Sequence, residues 1–402
     1  MIFYKNSNFE KSYNDLIVDL NNIIYVDSVI KDSSTYNVFV KILASLLNDN
    51  PVILVNGDLS EKELFGLGIN NKLLSEKRLV SADKVENTAK LKGKISEASK
   101  WSLTLYTSGT TGLPKKVSHT LNSLARNVKV SDKYDKNVWG FAFNPTHIAG
   151  IQVFLQALLN KNSIIDIFKK DRKEIINEIN ENSITNISAT STFYRLLGPF
   201  DFLCNSVSKI TFGGEKLDLK LNQELNKCFP NASFRNIYAS TEAGTIFTSK
   251  GDNFSIPEQY ENRVKICDKE LVIKSDLLGK VDNFNDEWYY TGDIVEIISN
   301  SPLSFRFVHR KNEMISVGGY KINPHEIEEE IRLLKEVKDV KVYGQKNSVL
   351  GYILCADIVV NKTIKEVDIR NFLKDKVQNF KIPRIINFVK TLTTTKTGKL
   401  QR

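Results

Sequence analysis

The chain has 402 residues, 41% of them hydrophobic and 26% charged; that balance excludes a disordered chain, and the length exceeds what one hydrophobic core usually supports, so two or three domains are expected. No apolar run approaches the ~20 residues of a membrane helix, and the opening "MIFYKNSNFEKSYNDL" lacks a signal-peptide core, so a cytoplasmic protein without a membrane partner is expected. The formal net charge of +9 arises from lysines interleaved with acidic residues along the whole chain, which implies a mild bias toward anionic ligands and argues against nucleic acid.

The first hundred residues are the least informative. The first clear strand is "SLTLY" (102–106), and the stretch after it, "TSGTTGLPKK" (107–116), gathers small hydroxyl residues, two glycines and two lysines. Such a loop suits phosphate: without bulky side chains its backbone N–H groups can close around oxyanions while hydroxyls donate and a lysine neutralises. It does not have the spacing G-x-x-x-x-G-K-[ST], because Leu113 and Pro114 stand between Gly112 and Lys115. A different kind of phosphate loop is expected.

Beyond it, "GIQVFLQALLN" (150–160), "DRKEIINEINEN" (171–182) and "LDLKLNQELNKCF" (217–229) have helical spacing. They alternate with the strand-like runs "SITNISA" (183–189), "VSKITF" (207–212) and "SFRNIY" (233–238). The alternation predicts βαβ units and a largely parallel sheet. In such sheets ligands sit beyond the carboxyl ends of the strands. "YTSGTTG", "FGGEKL" and "YASTEAG" each follow a strand, so three polar loops are expected to converge.

From about 263 the texture changes to hairpins, "RVKICDKELVIKSDLLGK" and "WYYTGDIVEII", which read as closing the large domain. Past 312 come "EMISVGGYKI", a helix starting near Asn323 and Pro324, strands at "VKDVKVYG" and "GYILCADIVV", a helix at "VDIRNFLKDKV" and a strand at "RIINFV". That αββαβ order is long enough for a small independent domain. Cys204, Cys228, Cys267 and Cys355 lie far apart with no C-x-x-C pair, so buried free thiols are expected rather than a zinc cluster or disulfide framework.

Five motifs together resemble the adenylate-forming superfamily of acyl-CoA synthetases, adenylation domains and luciferases. "YTSGTTGLPK" (106–115) resembles its phosphate loop, "YASTE" (238–242) its adenine and magnesium segment, and "YYTGD" (289–293) its ribose segment. "HRKNEMISVGGYKINPHEIE" (309–328) is similar to its hinge and following hairpin, and "TKTGKLQR" (395–402) to its C-terminal lysine motif. They occur in the family's order and cover the chain from about residue 100 onward. The resemblance implies an α/β fold. A large N-terminal adenylating domain, 1–311, would hold stacked mixed or parallel sheets with helices and a small β-barrel-like lobe; a small mobile α+β domain, 312–402, would carry the hinge, hairpin and terminal lysine.

It also implies a reaction. A carboxylate is a poor electrophile, so the acid first attacks the α-phosphate of ATP to give an acyl-adenylate and pyrophosphate, and the protein's task is to position reactants and neutralise charge. By resemblance, Thr107, Ser108, Gly109, Thr110, Thr111, Gly112 and Lys115 receive the departing phosphates, and Gly213, Gly214 and Glu215 lie near adenine and acyl group. Tyr238, Ala239 and Ser240 complete the nucleotide segment, with Tyr238 offering a flat face to adenine. Thr241 supplies a hydroxyl for the α-phosphate, Glu242 an oxygen ligand for Mg²⁺, and Asp293 with Arg310 meets the ribose. Lys399 would stabilise charge at the α-phosphorus. The small domain would then swing about Asn312, where relatives usually carry Asp or Lys, so that Gly318 and Gly319 can line a tunnel for coenzyme A.

His147, in "NPTHIAGIQVFLQALL", resembles the residue that gates the carboxylate site, and "TSTFYRLL" (190–197) would line the pocket. Ile148, Ala149, Gly150 and Ile151 offer no carboxylate for a substrate ammonium, which disfavours an α-amino acid and leaves aryl, aliphatic or keto acids. "PTHIAG" is also similar to synthetases acting on o-succinylbenzoate. Ala239 stands where many relatives have glycine and would narrow the cavity, Lys116 replaces a common glycine, and the region before the phosphate loop is shorter than usual. The expected protein is an AMP-forming acid:thiol ligase using ATP, Mg²⁺ and coenzyme A. The alternatives are an enzyme loading a carrier-protein phosphopantetheine in trans and a non-catalytic nucleotide- or acyl-binding protein.

Overall fold

The computed structural model describes residues 1–80, 83–106, 115–215, 219–300, 302–317, 320–347 and 351–394. The chain divides into two compact units, Met1–Arg263 with Ile273–Tyr289, and Val264–Val272 with Tyr290–Arg402. Among the described residues no helix is long and apolar enough to cross a membrane.

Among its described residues the first unit holds two large sheets and the two-stranded pair Tyr25–Asp27 with Lys77–Leu79. The larger, eight-stranded among the described residues, runs Gly244–Ser249, Ser233–Ser240, Lys209–Gly213, Asn186–Ala189, Val138–Phe141, Ser163–Asp166, Ile2–Lys5 and Glu10–Ser12. Its inner pairs are parallel and the strands at both edges antiparallel. Asn186–Ala189 is buried at every position, as expected of a strand covered on both faces. The helices Ile148–Leu159, Arg172–Glu181 and Leu219–Cys228 fall where helical spacing predicts them.

The smaller sheet holds Lys280–Val281, Lys116–His119, Leu103–Tyr106, Val52–Asn56 and Val29–Asp32. Leu103–Tyr106 therefore does not share a sheet with Lys209–Gly213 and Ser233–Ser240: the three polar loops leave two sheets. Two of them are also hairpin connections rather than strand-to-helix turns. Leu103–Tyr106 pairs antiparallel with Lys116–His119, and Ser233–Ser240 with Gly244–Ser249.

The N-terminal segment is stitched into the larger sheet. Phe39, on the buried helix Thr35–Leu47, stacks on Phe154 at 4.2 Å and meets the edge of Phe141 at 5.2 Å. Tyr4 donates its hydroxyl to Asp166 Oδ2 at 2.6 Å, both residues being buried. Burial pushes the Asp166 carboxyl above its ordinary range, so its donors matter. Tyr4→Phe removes one of them from a buried acid and should cost about 1–3 kcal/mol, read as a lower urea midpoint at unchanged slope.

The second unit carries the αββαβ order. Helix Pro324–Arg332 begins with Pro at its first turn behind Asn323, whose Oδ1 accepts from the His325 N–H at 3.1 Å. Strands Val337–Asn347 and Gly351–Val360 pair antiparallel, and Ile385–Phe388 joins the latter in parallel. Ile327, Ile331, Val340, Ile358, Ile369 and Leu373 form the core of this layer. Glu328, only 1% exposed, takes the Val342 N–H at 2.7 Å, so this buried carboxylate is partnered. The four cysteines are free; burial raises the Cys204 thiol to about 11, which marks it as chemically inert.

Candidate active site

Thr107, Ser108, Gly109, Thr110, Thr111 and Gly112 lie outside the described residues, and so do Gly318, Gly319 and Lys399; of Asn312 only the backbone is described, within the turn Lys311–Glu313. The two strands that flank the loop are described in full. Their register sets Tyr106 opposite Lys116 and Leu103 opposite His119. The exposed Lys115 holds its ammonium 5.8 Å from the centre of the Tyr289 ring.

Tyr289 also donates its hydroxyl to Glu242 Oε1 at 3.2 Å. One aromatic residue thus touches both the lysine that ends the phosphate loop and the acid expected to meet magnesium. Tyr289 opens "YYTGD", but its motif position alone gives it no role.

Thr241 and Glu242 occupy the connection between Ser233–Ser240 and Gly244–Ser249, where Ser240 pairs with Gly244. Gly244 turns at φ +64°, and Ser240 Oγ takes the Ala243 N–H at 3.1 Å. This connection is gripped from the smaller sheet. His119 Nε2–H donates to the Thr241 carbonyl at 2.7 Å, and the Gly279 N–H donates to the Glu242 carbonyl at 2.7 Å. Because the Thr241 carbonyl only accepts, the proton of the neutral ring sits on Nε2, and on its far side Nδ1 takes the Ser123 hydroxyl at 2.8 Å. His119 is 1% exposed, and burial holds its imidazole below the ordinary range. Gly279 lies against the ring: a Cβ there would sit 2.6 Å from His119 Cε1. Sequence reasoning missed both residues: His119 ends the strand Lys116–His119, Gly279 stands just before the strand Lys280–Val281 that pairs with it, and local pattern does not show that pairing.

Tyr238 stacks on Phe247 with ring centroids 5.7 Å apart, so one face of it is occupied by the protein, while Ala239 pairs with Thr245. Gly213 ends its strand and Gly214 follows at φ +79°. Glu215 is engaged within the protein: its two oxygens accept from the Thr192 N–H at 2.7 Å and the Thr192 hydroxyl at 2.8 Å, fastening "TSTFYRLL" to the "GGE" turn. His147 caps the helix Ile148–Leu159, its Nδ1 facing the Ala149 N–H at 3.4 Å. The preceding loop packs closely on that helix, because a Cβ at Gly150 would lie 2.5 Å from the Asn144 carbonyl oxygen.

In the second unit Asp293 and Arg310 face each other across a strand pair. Arg310 Nε donates to Oδ1 at 2.6 Å and Nη2 to Oδ2 at 3.3 Å, a two-pronged grip on a carboxylate 6% exposed. The pair that the sequence reading assigned to the ribose is thus brought together.

Among the described residues no group of three or more His, Cys, Asp or Glu could hold a metal. A lone carboxylate such as Glu242 fits Mg²⁺, which keeps waters and binds through one or two carboxylates plus substrate phosphates, better than it fits a caged metal.

Comparison with known proteins agrees with this chemistry. The 2-succinylbenzoate–CoA ligase of Staphylococcus epidermidis is 27% identical over 331 residues, covering 74% of this chain and 68% of the relative. The enzyme of the same name from Bacillus licheniformis is 25% identical over 333 residues, with the same shares. The solved o-succinylbenzoate CoA synthetase of Bacillus subtilis, in complex with its acyl-adenylate intermediate, shares the fold at a TM-score of 0.72 and 19% identity, over 99% of this chain and 94% of that one. The AMP-binding enzyme C-terminal domain model matches residues 326–399. The AMP-binding enzyme model matches residues 39–274, more than half of the sequence, and the chain belongs to that family.

Proposed function

We propose that the chain is an AMP-forming acid:thiol ligase that activates an aryl keto acid of the 2-succinylbenzoate type and passes the acyl group to coenzyme A. The observation that carries the reading is the frame around Thr241 and Glu242. His119, from the sheet that bears the phosphate-loop strands, and Gly279, just before its edge strand Lys280–Val281, hold the two carbonyls of this connection at 2.7 Å each.

In the first half-reaction a carboxylate oxygen attacks the α-phosphorus of ATP; an O–P bond forms, the bond to the β-phosphate oxygen breaks, and pyrophosphate leaves. The Thr241 hydroxyl donates to an α-phosphate oxygen, and Lys115 with the loop 107–114 takes the leaving phosphates. Asp293 accepts from the ribose hydroxyls, its carboxylate held by Arg310. Glu242 would hold Mg²⁺, which when bound neutralises phosphate charge. The protein's contribution is orientation and fixed charge aimed at the phosphoryl oxygens. In the second half-reaction the thiol sulfur attacks the acyl carbon, AMP leaves and the thiol proton passes to solvent. The boundary between 311 and 312 is the functional hinge of this reading.

Two things support the acid class: the relatives' names, and the absence of an acidic side chain at 148–151 to hold a substrate ammonium. The test is pyrophosphate release across a panel of 2-succinylbenzoate, benzoate, saturated fatty acids and α-amino acids. The expected result is the highest kcat/KM with 2-succinylbenzoate and no turnover of amino acids. Release that is independent of any acid would overturn the reading.

A further inference from the structure

The strand Glu270–Lys274 and the turn that carries Asp293 are tied together by more than the ladder. Glu270 is 3% exposed, and its Oε1 accepts the Gly292 N–H at 2.7 Å. Its Oε2 pairs with the ammonium of Lys311. The neighbouring Leu271 carbonyl takes the Thr291 hydroxyl at 2.8 Å, and Thr291 Oγ1 in turn accepts the Asp293 N–H at 3.1 Å. Gly292 stands at φ +76° with open space where a Cβ would go, so the turn itself, not crowding, calls for glycine.

Lys311 follows Arg310, whose guanidinium grips Asp293. The two residues before position 312 are therefore both pinned to the ribose turn, one through Asp293 and one through Glu270. On the other side Glu313 Oε2 lies 3.0 Å from His325 Nε2, on helix Pro324–Arg332. Position 312 separates two anchored stretches of chain. A carboxylate buried this deeply is stable only while its donors are in place.

We propose that Glu270 is a positioning residue for acid activation: its buried carboxylate aims the turn bearing Asp293 at the ribose hydroxyls and, through Lys311, fixes the chain immediately before the hinge. The inference rests on the ligase reading and on the ribose role of Asp293. Glu270→Gln keeps the shape but offers one carbonyl oxygen to two donors. Lys311→Met, at a half-exposed position, removes only the ammonium. Lys311→Arg keeps a cation.

The experiment is acid-dependent ATP–pyrophosphate exchange on the full chain, with ATP and with 2′-deoxy-ATP. Glu270→Gln should raise KM for ATP about tenfold, the weight of one charge-assisted hydrogen bond, and reduce the preference for ATP over the deoxy-nucleotide. Lys311→Met should do the same about threefold by the same reasoning, and Lys311→Arg should restore both. KM for the acid should stay put. A merely structural carboxylate would lower thermal stability and leave the nucleotide preference alone; that outcome overturns the proposal. If Glu270→Gln does not fold, an unchanged preference in Lys311→Met overturns it equally. Wild-type chain without acid-dependent exchange defeats the ligase reading first.

Discussion

Lys399→Ala is expected to slow acid-dependent ATP–pyrophosphate exchange by about 10²–10³, while a supplied acyl-adenylate is still converted to its CoA thioester near the wild-type rate. When the carboxylate attacks, negative charge gathers on the α-phosphoryl oxygens, and an ammonium aimed there in a site with little water is worth far more than in bulk solvent. The second half-reaction breaks the acyl–phosphate bond of an intermediate already made, so it has no call on that ammonium. Lys399 lies outside the described residues, but the C-terminal family match reaches residue 399. Lys399→Arg is expected to recover only part of the rate, because a flat fork cannot replace a compact point charge. The check is to assay the two half-reactions separately. Equal loss in both would mean that Lys399 serves the fold or both steps, and would remove it from the adenylation chemistry.

What could be read from the sequence divides along a physical line. Helix Ile148–Leu159 was legible because its apolar residues recur at helical spacing, and helix Pro324–Arg332 because Asn-Pro announces its start. Strand Val138–Phe141 was not. It has four residues and an internal Gly140, a sequence that reads as a breaker; in the fold a Cβ at Gly140 would press within 3.0 Å of Ile167 and 3.3 Å of both Ile184 and Ile187, so the crowded sheet face calls for a small residue. The separation of the phosphate-loop strand from the larger sheet was equally hidden, since local pattern gives strands but not their neighbours.

The site divides the same way. Asp293 and Arg310 are 17 residues apart on paired strands, and motif spacing brought both to notice. His119 and Thr241 are 122 apart, and Glu270 and Lys311 41 apart, joined by contacts that no local spacing encodes. Glu215 shows the converse. A residue that motif position placed at the nucleotide spends both of its oxygens on Thr192, so its effect on ligand would pass through the segment it fastens.

His119 carries the second large effect. His119→Phe deletes the donor to the Thr241 carbonyl and the partner of the Ser123 hydroxyl; the ring is buried but Thr241 and Ser123 are only half-buried, so each lost hydrogen bond should cost about 1 kcal/mol. Shape is nearly kept, so the main loss is aim. Thr241 and Glu242 sit on a short connection whose two carbonyls are each held by one hydrogen bond, and releasing one lets the connection drift. A misplacement of about 1 Å can cost about 10² in rate, and adenylation should fall by that order while CoA transfer falls less. His119→Gln, whose amide can still donate to Thr241, should recover much of the loss. A Cβ at Gly279 would collide with the same ring, so Gly279→Ala should reproduce the defect in milder form.

The imidazole also leaves a signature in pH. Burial, with Arg126 nearby, depresses its pKa more than the Thr241 carbonyl and Glu242 raise it, so the folded chain holds it neutral. A group depressed in this way gives full stability above its unfolded value of about 6.5 and loses it as pH falls below that, with a slope of at most about 1.4 kcal/mol per pH unit. Urea titrations of wild type and His119→Phe between pH 8 and 5 should therefore converge toward the acid side, because the variant lacks this one term while sharing the others. Parallel curves would mean that folding leaves the imidazole pKa unshifted, and curves that diverge toward acid would mean that the ring is protonated in the fold, so that the donor to Thr241 no longer identifies a fixed neutral tautomer.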